Sequence, residues 1–237
     1  MERKVFSHYT WALVSFVQYE EMSSLKIKEM ELGPIATNAF LLWRDGMTQA
    51  VLVDAPPNCA QEVNNALAKE NLTLSEIWLT HGHWDHMAGA DELNKEGIRI
   101  IGHIDDQIMF EQPSIMANFA IPGINMDPIE VTHWVKEGEV LDFFGSPVEV
   151  RHCPGHCPGN IAFWFKDDSC CFVGDVIFRE SVGRYDLPGG DFEKLEVSIQ
   201  EKIYSLPPET KLLVGHGPPT TVSHEMQSNP FVRPKSL

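Results

Sequence analysis

Apolar residues fall into the same order twice along this chain of 237 residues. In the first half, Lys26–Leu32, Phe40–Trp43 and Ala50–Val53 are short β-rich runs separated by turn residues, and they predict strands. Residues 58–70 then change to helical spacing, with Val63, Ala66 and Leu67 on one face. Glu76–Leu79 predicts a short buried strand, Ala88–Glu96 a helix, and Ile98–Ile101 a β-branched strand. The second half repeats the strand signal at Val140–Phe144, Val148–His152, Ile161–Phe165 and Cys170–Val173. A helix at about 191–206 carries the stripe Phe192, Leu195, Ile199 and Ile203, and Leu212–Val214 is the last strand. Strands followed by a helix, twice over, predict two sheets packed together with helices outside, an α/β fold in one domain. Residues 105–135 interrupt the pattern with Pro113, Pro122 and Pro128 among several Met and Phe. Such a segment is expected to be irregular and to form a lid or binding wall.

The strand run Glu76–Leu79 leads into Thr80-His81-Gly82-His83-Trp84-Asp85-His86, three histidines and a carboxylate within six residues. Neutral imidazoles and carboxylates are ligands for Zn, Fe and Mn. His81 and His83, two apart, lie on the same side of an extended segment. A tetrahedral catalytic site takes three protein ligands and a water, so four donors from one loop are divided more easily between two ions than crowded on one. Three further strands end in Gly-rich loops bearing ligand-type residues: His152-Cys153-Pro154-Gly155-His156, Gly174-Asp175 and Gly215-His216-Gly217.

Composition narrows the function. Apolar residues make up 43% and charged residues 22%, an ordinary globular balance. A formal charge of −16 argues against nucleic acid and against an anionic membrane surface as partners. Five cysteines without regular spacing read as free thiols in a reducing compartment, the cytoplasm. Residues 1–21 are a poor secretory signal; residues 1–24 are expected to be a poorly ordered extension, the alternative being that the stretch before Met22 reflects an upstream start.

H-x-H-x-D-H, followed by Gly155-His156, Gly174-Asp175 and Gly215-His216-Gly217, resembles the metallo-β-lactamase-fold hydrolase superfamily over residues 25–233. The string from Gly174-Asp175 through Gly183-Arg184-Tyr185-Asp186-Leu187-Pro188-Gly189-Gly190-Asp191 is similar to its glyoxalase II-like (hydroxyacylglutathione hydrolase-like) branch. So is Gly215-His216-Gly217-Pro218-Pro219-Thr220-Thr221 followed by Asn229-Pro230-Phe231. The resemblance implies a four-layer αββα sandwich, with a catalytic domain over residues 25–237. It implies two divalent ions, zinc with iron or manganese as alternatives. One would be held by His81, His83 and His156, the second by Asp85, His86 and His216, with Asp175 bridging. A hydroxide between the metals would attack a thioester of the S-acyl-glutathione kind, with Asp85 also orienting that nucleophile.

Further residues follow from the same resemblance. Asp54 would orient a ligand loop, and Arg184 and Tyr185 would contact substrate. Cys157 stands where the family often has Thr and is expected to be a small buried neighbour of the site; His152 is a candidate support for His156. The expected partner is a small thioester and, at most, a second copy of the chain. Two-domain glyoxalase II enzymes grip glutathione with a C-terminal helical domain, whereas here the stretch after His216 is short, with Arg233 and Lys235 its only Lys or Arg. A persulfide dioxygenase-like oxidoreductase with one iron shares the Gly183-Arg184-x-Asp186 pattern and is the alternative; a lactonase or β-lactamase of the same fold is another.

Overall fold

The strands assemble into two six-stranded mixed sheets and a short ribbon. A computed structural model describes residues 23–94 and 97–235, so all but the last two residues of the expected extension lie outside the described residues. The first sheet has the sequential order β1 (Leu25–Leu32), β2 (Thr37–Arg44), β3 (Gln49–Val53), β4 (Thr73–Trp78), β5 (Arg99–His103) and β6 (His133–Val135). The second half supplies β7 (Val140–Phe143), β8 (Ser146–His152), β9 (Ile161–Phe165) and β10 (Cys170–Gly174). The ribbon β11 (Ile177–Phe178) and β12 (Ser181–Val182) follows, then β13 (Lys211–Val214) and β14 (Thr220–Thr221). The second sheet runs β14-β13-β10-β9-β8-β7. β3, β4, β5 and β6 pair in parallel, as do β10 and β13, while the remaining pairs are antiparallel.

Strand alternation divides the core into three apolar layers. Phe40, Leu42, Val51, Val53 and Trp78 of the first sheet meet Phe143, Val150, Phe163, Phe165 and Phe172 of the second. The alternate residues Leu41, Leu52 and Ile77 face outward under α1 (Ala60–Glu70), against Val63, Ala66 and Leu67. On the other flank Cys171, Val173 and Leu212 meet Leu195, Ile199 and Ile203. Two sheets with a helical layer on each outer face make the expected four-layer αββα sandwich, because the central strands β2, β3, β4 and β10 carry apolar residues on both faces. Trp78 anchors the middle layer, with ring centroids 5.1 Å from Phe163 and 6.0 Å from Phe143. Cys170 and Cys171 point into different layers, as expected of neighbours in a strand.

Two expectations are corrected. The helix expected over Ala88–Glu96 is instead two single turns, α2 (Trp84–Met87) and α3 (Ala90–Leu93), with residues 95–96 outside the described ones. The break falls at Gly89, whose amide donates to the Ala55 carbonyl at 2.9 Å; a Cβ there would overlap the Pro56 carbonyl. The segment expected to be irregular over 105–135 opens with helical turns: a 3₁₀ turn at Ile104–Asp106, α4 (Gln107–Glu111) and a 3₁₀ stretch at Pro113–Phe119. The late helix is α5 (Phe192–Ser198), capped by the Asp191 side chain on Lys194 N, and it continues as a wider π turn over Ile199–Ile203. α6 (Val222–Ser228) closes the fold; no helix among the described residues is long and apolar enough to cross a membrane.

One ion pair joins the sheets at the end of β2 remote from Thr37. Arg44 is 2% exposed and makes a two-pronged bond to Asp168, at 2.7 and 2.6 Å, from the turn between β9 and β10. Replacing Asp168 with Ala would leave this guanidinium buried and short of its partner. The expected loss is about 3 kcal/mol of folding free energy in urea unfolding, with Arg44→Met, which removes the charge, costing less.

Candidate metal centre

Buried strands deliver the polar cluster from both sheets. β3 ends in Asp54, β4 continues through Leu79 and Thr80 to His81, and β8 leads into the loop of His156. β10 ends beside Asp175, and β13 beside His216. Parallel pairing of β3 with β4, and of β10 with β13, sets these carboxyl ends along one edge of the sandwich. Asn38 fastens the sheets there: its amide donates to Gly215 O at 2.8 Å, and its Nδ2 to Val214 O at 2.9 Å and Gly217 O at 2.8 Å. Gly215 is required by space, since a Cβ would overlap the Asp175 carboxylate and stand 2.7 Å from His86 Cε1.

All seven expected donor residues converge. His81 Nε2 is 3.1 Å from His83 Nδ1, which is 2.8 Å from His156 Nε2. His86 Nε2 lies 3.2 Å from Asp85 Oδ2 and 3.3 Å from Asp175 Oδ1, and His216 Nε2 lies 3.2 Å from Asp85 Oδ2. Asp175 stands between the two groups, its Oδ2 3.5 Å from His156 Nε2 and 3.6 Å from His216 Nε2. Three donor groups emerge, each within 4.8 Å: His81/His83/His156, His81/His86/Asp175 and Asp85/His86/His216. These separations cluster near 3.3 Å, about the edge of a tetrahedron whose bonds are about 2.0 Å long.

The outer partners decide which way the imidazole lone pairs point. Thr80 Oγ1 donates to Asp54 Oδ2 at 2.9 Å, so it accepts the Nδ1 proton of His81 at 3.0 Å. His86 Nδ1 donates to Asp54 Oδ2 at 2.8 Å, His156 Nδ1 to the Arg184 carbonyl at 2.7 Å, and His216 Nδ1 to the Ala36 carbonyl at 3.3 Å. Each of these four rings therefore turns its Nε2 inward, toward other lone pairs and carboxylates, and in its neutral form that nitrogen presents a lone pair there. His86 Nε2 and Asp175 Oδ1 are buried with no hydrogen-bond partner. Electron-pair donors pressed together in this way need a cation between them, and the residues present fit a pair of divalent ions.

Burial and charge divide the five rings into two sets. Burial pushes His81 well below its ordinary pKa, His83 down to about 3, and His156 down, which keeps all three neutral and able to ligate. Burial opposes charge on His86 too, but the carboxylates of Asp85, Asp175 and Asp54 outweigh it and raise its pKa well above the ordinary value. Burial opposes ionisation of both site carboxylates. Even so, His86 and His216 hold Asp85 well below the usual range, and His86 with His156 brings Asp175 to about 2. His216 is raised against its burial by Asp85 and Asp175.

Asp54 sits directly behind His86 and, through Thr80, behind His81. It adopts φ +59°, and its carboxylate also accepts from Thr80 N at 2.8 Å. Asp106 was not singled out from the sequence. Its buried carboxylate accepts from Gly82 N at 2.9 Å, Gly159 N at 2.6 Å and Cys157 Sγ at 3.1 Å, tying the His81–His83 loop to the His156 loop. Its only sequence signal was an Asp beside a strand end. Cys157 is buried as expected, and all five cysteines are unpaired. His152 stacks on His103 at 3.9 Å and bonds the Pro158 carbonyl at 2.8 Å, pinning the loop of His156 from outside the cluster.

The cluster floors a cleft of about 320 Å³ whose walls include Trp84, Met116, Phe119, Phe178 and Leu187, with Arg184 at its edge. Residues 113–119 thus supply the expected wall. Tyr185 does not line this cleft; its ring packs on Phe192 at 4.9 Å, so Arg184 alone of the two expected substrate contacts lies at the site. A larger hollow of about 490 Å³, bounded by Glu137, His152 and Lys202, contains none of the cluster.

The model of the metallo-beta-lactamase superfamily matches residues 32–216. The chain belongs to that superfamily. It is 36% identical over 214 residues to the hydroxyacylglutathione hydrolase GloC of Haemophilus influenzae, spanning 87% of this chain and 99% of that protein. Among solved structures, the BLEG-1 B3 metallo-beta-lactamase superposes with a TM-score of 0.81 at 35% identity, over 87% of this chain and 99% of that one. A di-iron-bound form of TTHA1623 superposes at 0.77 with 34% identity, over 86% and 100%. This superfamily member therefore carries a histidine–aspartate cluster suited to two metal ions.

Two outcomes follow from the tautomers. Asp54→Asn, which removes the acceptor charge behind Thr80 and His86, is expected to weaken metal binding about 10- to 100-fold in chelator competition. Because His86 and His216 have raised pKa values in the free cluster, metal uptake near neutral pH is expected to release about one proton or more. Calorimetry in buffers of different ionisation enthalpy reads that number, and acidification is expected to weaken binding.

Proposed function

We propose that the protein is a metal-dependent hydrolase of thioesters of the S-acyl-glutathione kind, formed by one catalytic domain over residues 25–237 and working in the cytoplasm. The observation that carries this reading is the pair of three-donor groups flanking Asp175 on the floor of one cleft. Similarity to a hydroxyacylglutathione hydrolase along nearly its whole length supports the thioester class. In this reading His81, His83 and His156 hold one divalent ion, and Asp85, His86 and His216 the other, with Asp175 between them. Two such ions, zinc with iron or manganese as alternatives, would supply a water of lowered pKa and polarisation of the scissile carbonyl.

The remaining roles belong to the chain. Asp85, whose Oδ2 accepts from Thr37 Oγ1 at 3.2 Å, lines the cleft and orients the attacking water. Thr80 and Asp54 fix His81 and His86, while the Arg184 carbonyl fixes His156. The Arg184 guanidinium at the edge meets a carboxylate or carbonyl of the substrate. Trp84 and Met116 are 5% and 2% exposed, and they keep bulk water from the reacting carbonyl.

Metal-loaded protein is expected to hydrolyse S-lactoylglutathione. Asp175→Ala is expected to cut kcat/KM by about 10²- to 10⁴-fold, matching several kcal/mol of lost transition-state stabilisation. Oxygen uptake on a glutathione persulfide with one iron per chain, and no thioester turnover, would replace this reading. Similarity to BLEG-1 favours a second reading, β-lactam hydrolysis, and faster turnover of a chromogenic cephalosporin than of any thioester would establish it.

A further inference from the structure

The cleft above the cluster is apolar in a way the reaction itself does not require. Beyond the proposed ligands, its walls are Ile35, Trp84, Met116, Phe119, Phe178 and Leu187 in the main, with Arg184 the one Lys or Arg lining it among the described residues. Arg184 does not face the cleft as a free charge. Its Nε and Nη2 bond the two oxygens of Asp186 at 2.8 and 2.9 Å, so this guanidinium is shared with an acid and offers a substrate carboxylate only a partial charge at the rim. Two of the walls are left open to solvent: Phe119 is 44% exposed and Ile35 41%. The chain as a whole is strongly acidic at −16, which disfavours deep entry of an anionic group away from the metals.

An S-acyl-glutathione has two unlike halves. The thiol half carries two carboxylates and an ammonium, and burying these against Trp84 and Phe119 without partners would cost far more than it gained. Of the two halves, only the acyl group can be apolar. We infer that this cleft selects thioesters with a short apolar acyl group, seated against Trp84, Met116 and Phe119, while the charged thiol half stays at the solvent edge beside Arg184. The inference rests on the hydrolase reading above and adds to it the class of acyl group. The volume, about 320 Å³, lies at the small end of the usual range for small-molecule sites, so a short acyl chain fits better than a long fatty one.

The test is a series of straight-chain S-acyl-glutathiones from acetyl to decanoyl, with S-lactoylglutathione alongside, on protein carrying its full metal complement. The expected result is that kcat/KM rises about three- to four-fold per added methylene, then turns over once the chain outgrows the cleft. S-lactoylglutathione, with its hydroxyl, is expected to fall below its propionyl counterpart. Phe119→Ser is expected to flatten the slope and Phe119→Leu to retain most of it; the position is exposed enough that folding is not at stake. Thioester turnover that is flat or falling with chain length, or a slope untouched by Phe119→Ser, overturns the acyl assignment and leaves the hydrolase standing. Metal-loaded protein that cleaves no member of the series overturns both.

Discussion

Lone pairs that face one another underlie this molecule. The interior edge of the sandwich gathers five imidazoles and two carboxylates, most of them fully buried. Hydrogen bonds outside the cluster use up the Nδ1 protons of four of those rings. What remains inside is a set of ring nitrogens and carboxylate oxygens at 2.8–3.6 Å, which need a cation among them: protons on His86 and His216 in the free protein, or divalent ions in their place. The outer partners are therefore as necessary to the site as the donors. Thr80 and Asp54, the Arg184 and Ala36 carbonyls, and the amides that hold Asp106 set the orientation in which the donors can share metal ions.

The sandwich exists at that edge because of strand direction. β3, β10 and β13, which lead to Asp54, Asp175 and His216, are buried along most of their length, so packing on both faces fixes where they end. β3 and β4 in one sheet, and β10 and β13 in the other, point their carboxyl ends the same way. Asn38 joins the sheets beside His216, while Arg44 and Asp168 join them at the far end of β2. A donor set spread over 136 residues of sequence, from His81 to His216, is thereby brought together by parts of the fold that do no chemistry.

Above this rigid floor the walls have a different character. Helical turns over Ile104–Phe119 and the loop after Asp175 carry Met116, Phe119, Arg184 and Leu187 to the cleft. They offer apolar area and one matched charge. The floor sets the kind of bond that can be broken, and the walls set what may flank it. Members of one superfamily can therefore share the cluster while differing in substrate.

Much of this was legible in the chain. Strand positions followed from β-branched runs, and α1 from the spacing of Val63, Ala66 and Leu67, because alternation and helical periodicity are local signals. The ligand types were visible in the H-x-H-x-D-H string and in three Gly-flanked strand ends. Other features were not local. Gly89 splits an apparent helix because the segment after β3 presses against it, which no window around residue 89 records. Asp106 is one acid among many until Gly82, Cys157 and Gly159 are brought to it. Arg184 and Tyr185 are neighbours in the chain, yet only one lines the cleft, because Tyr185 packs on Phe192. The sequence by itself determined the fold class and pointed to the residues that gather at the cluster, since periodicity and ligand-bearing motifs are properties of short segments. Only the tertiary structure decided which lone pairs face inward, which acid links the loops and what lines the cleft, because each depends on groups far apart in the chain and a few ångströms apart in space.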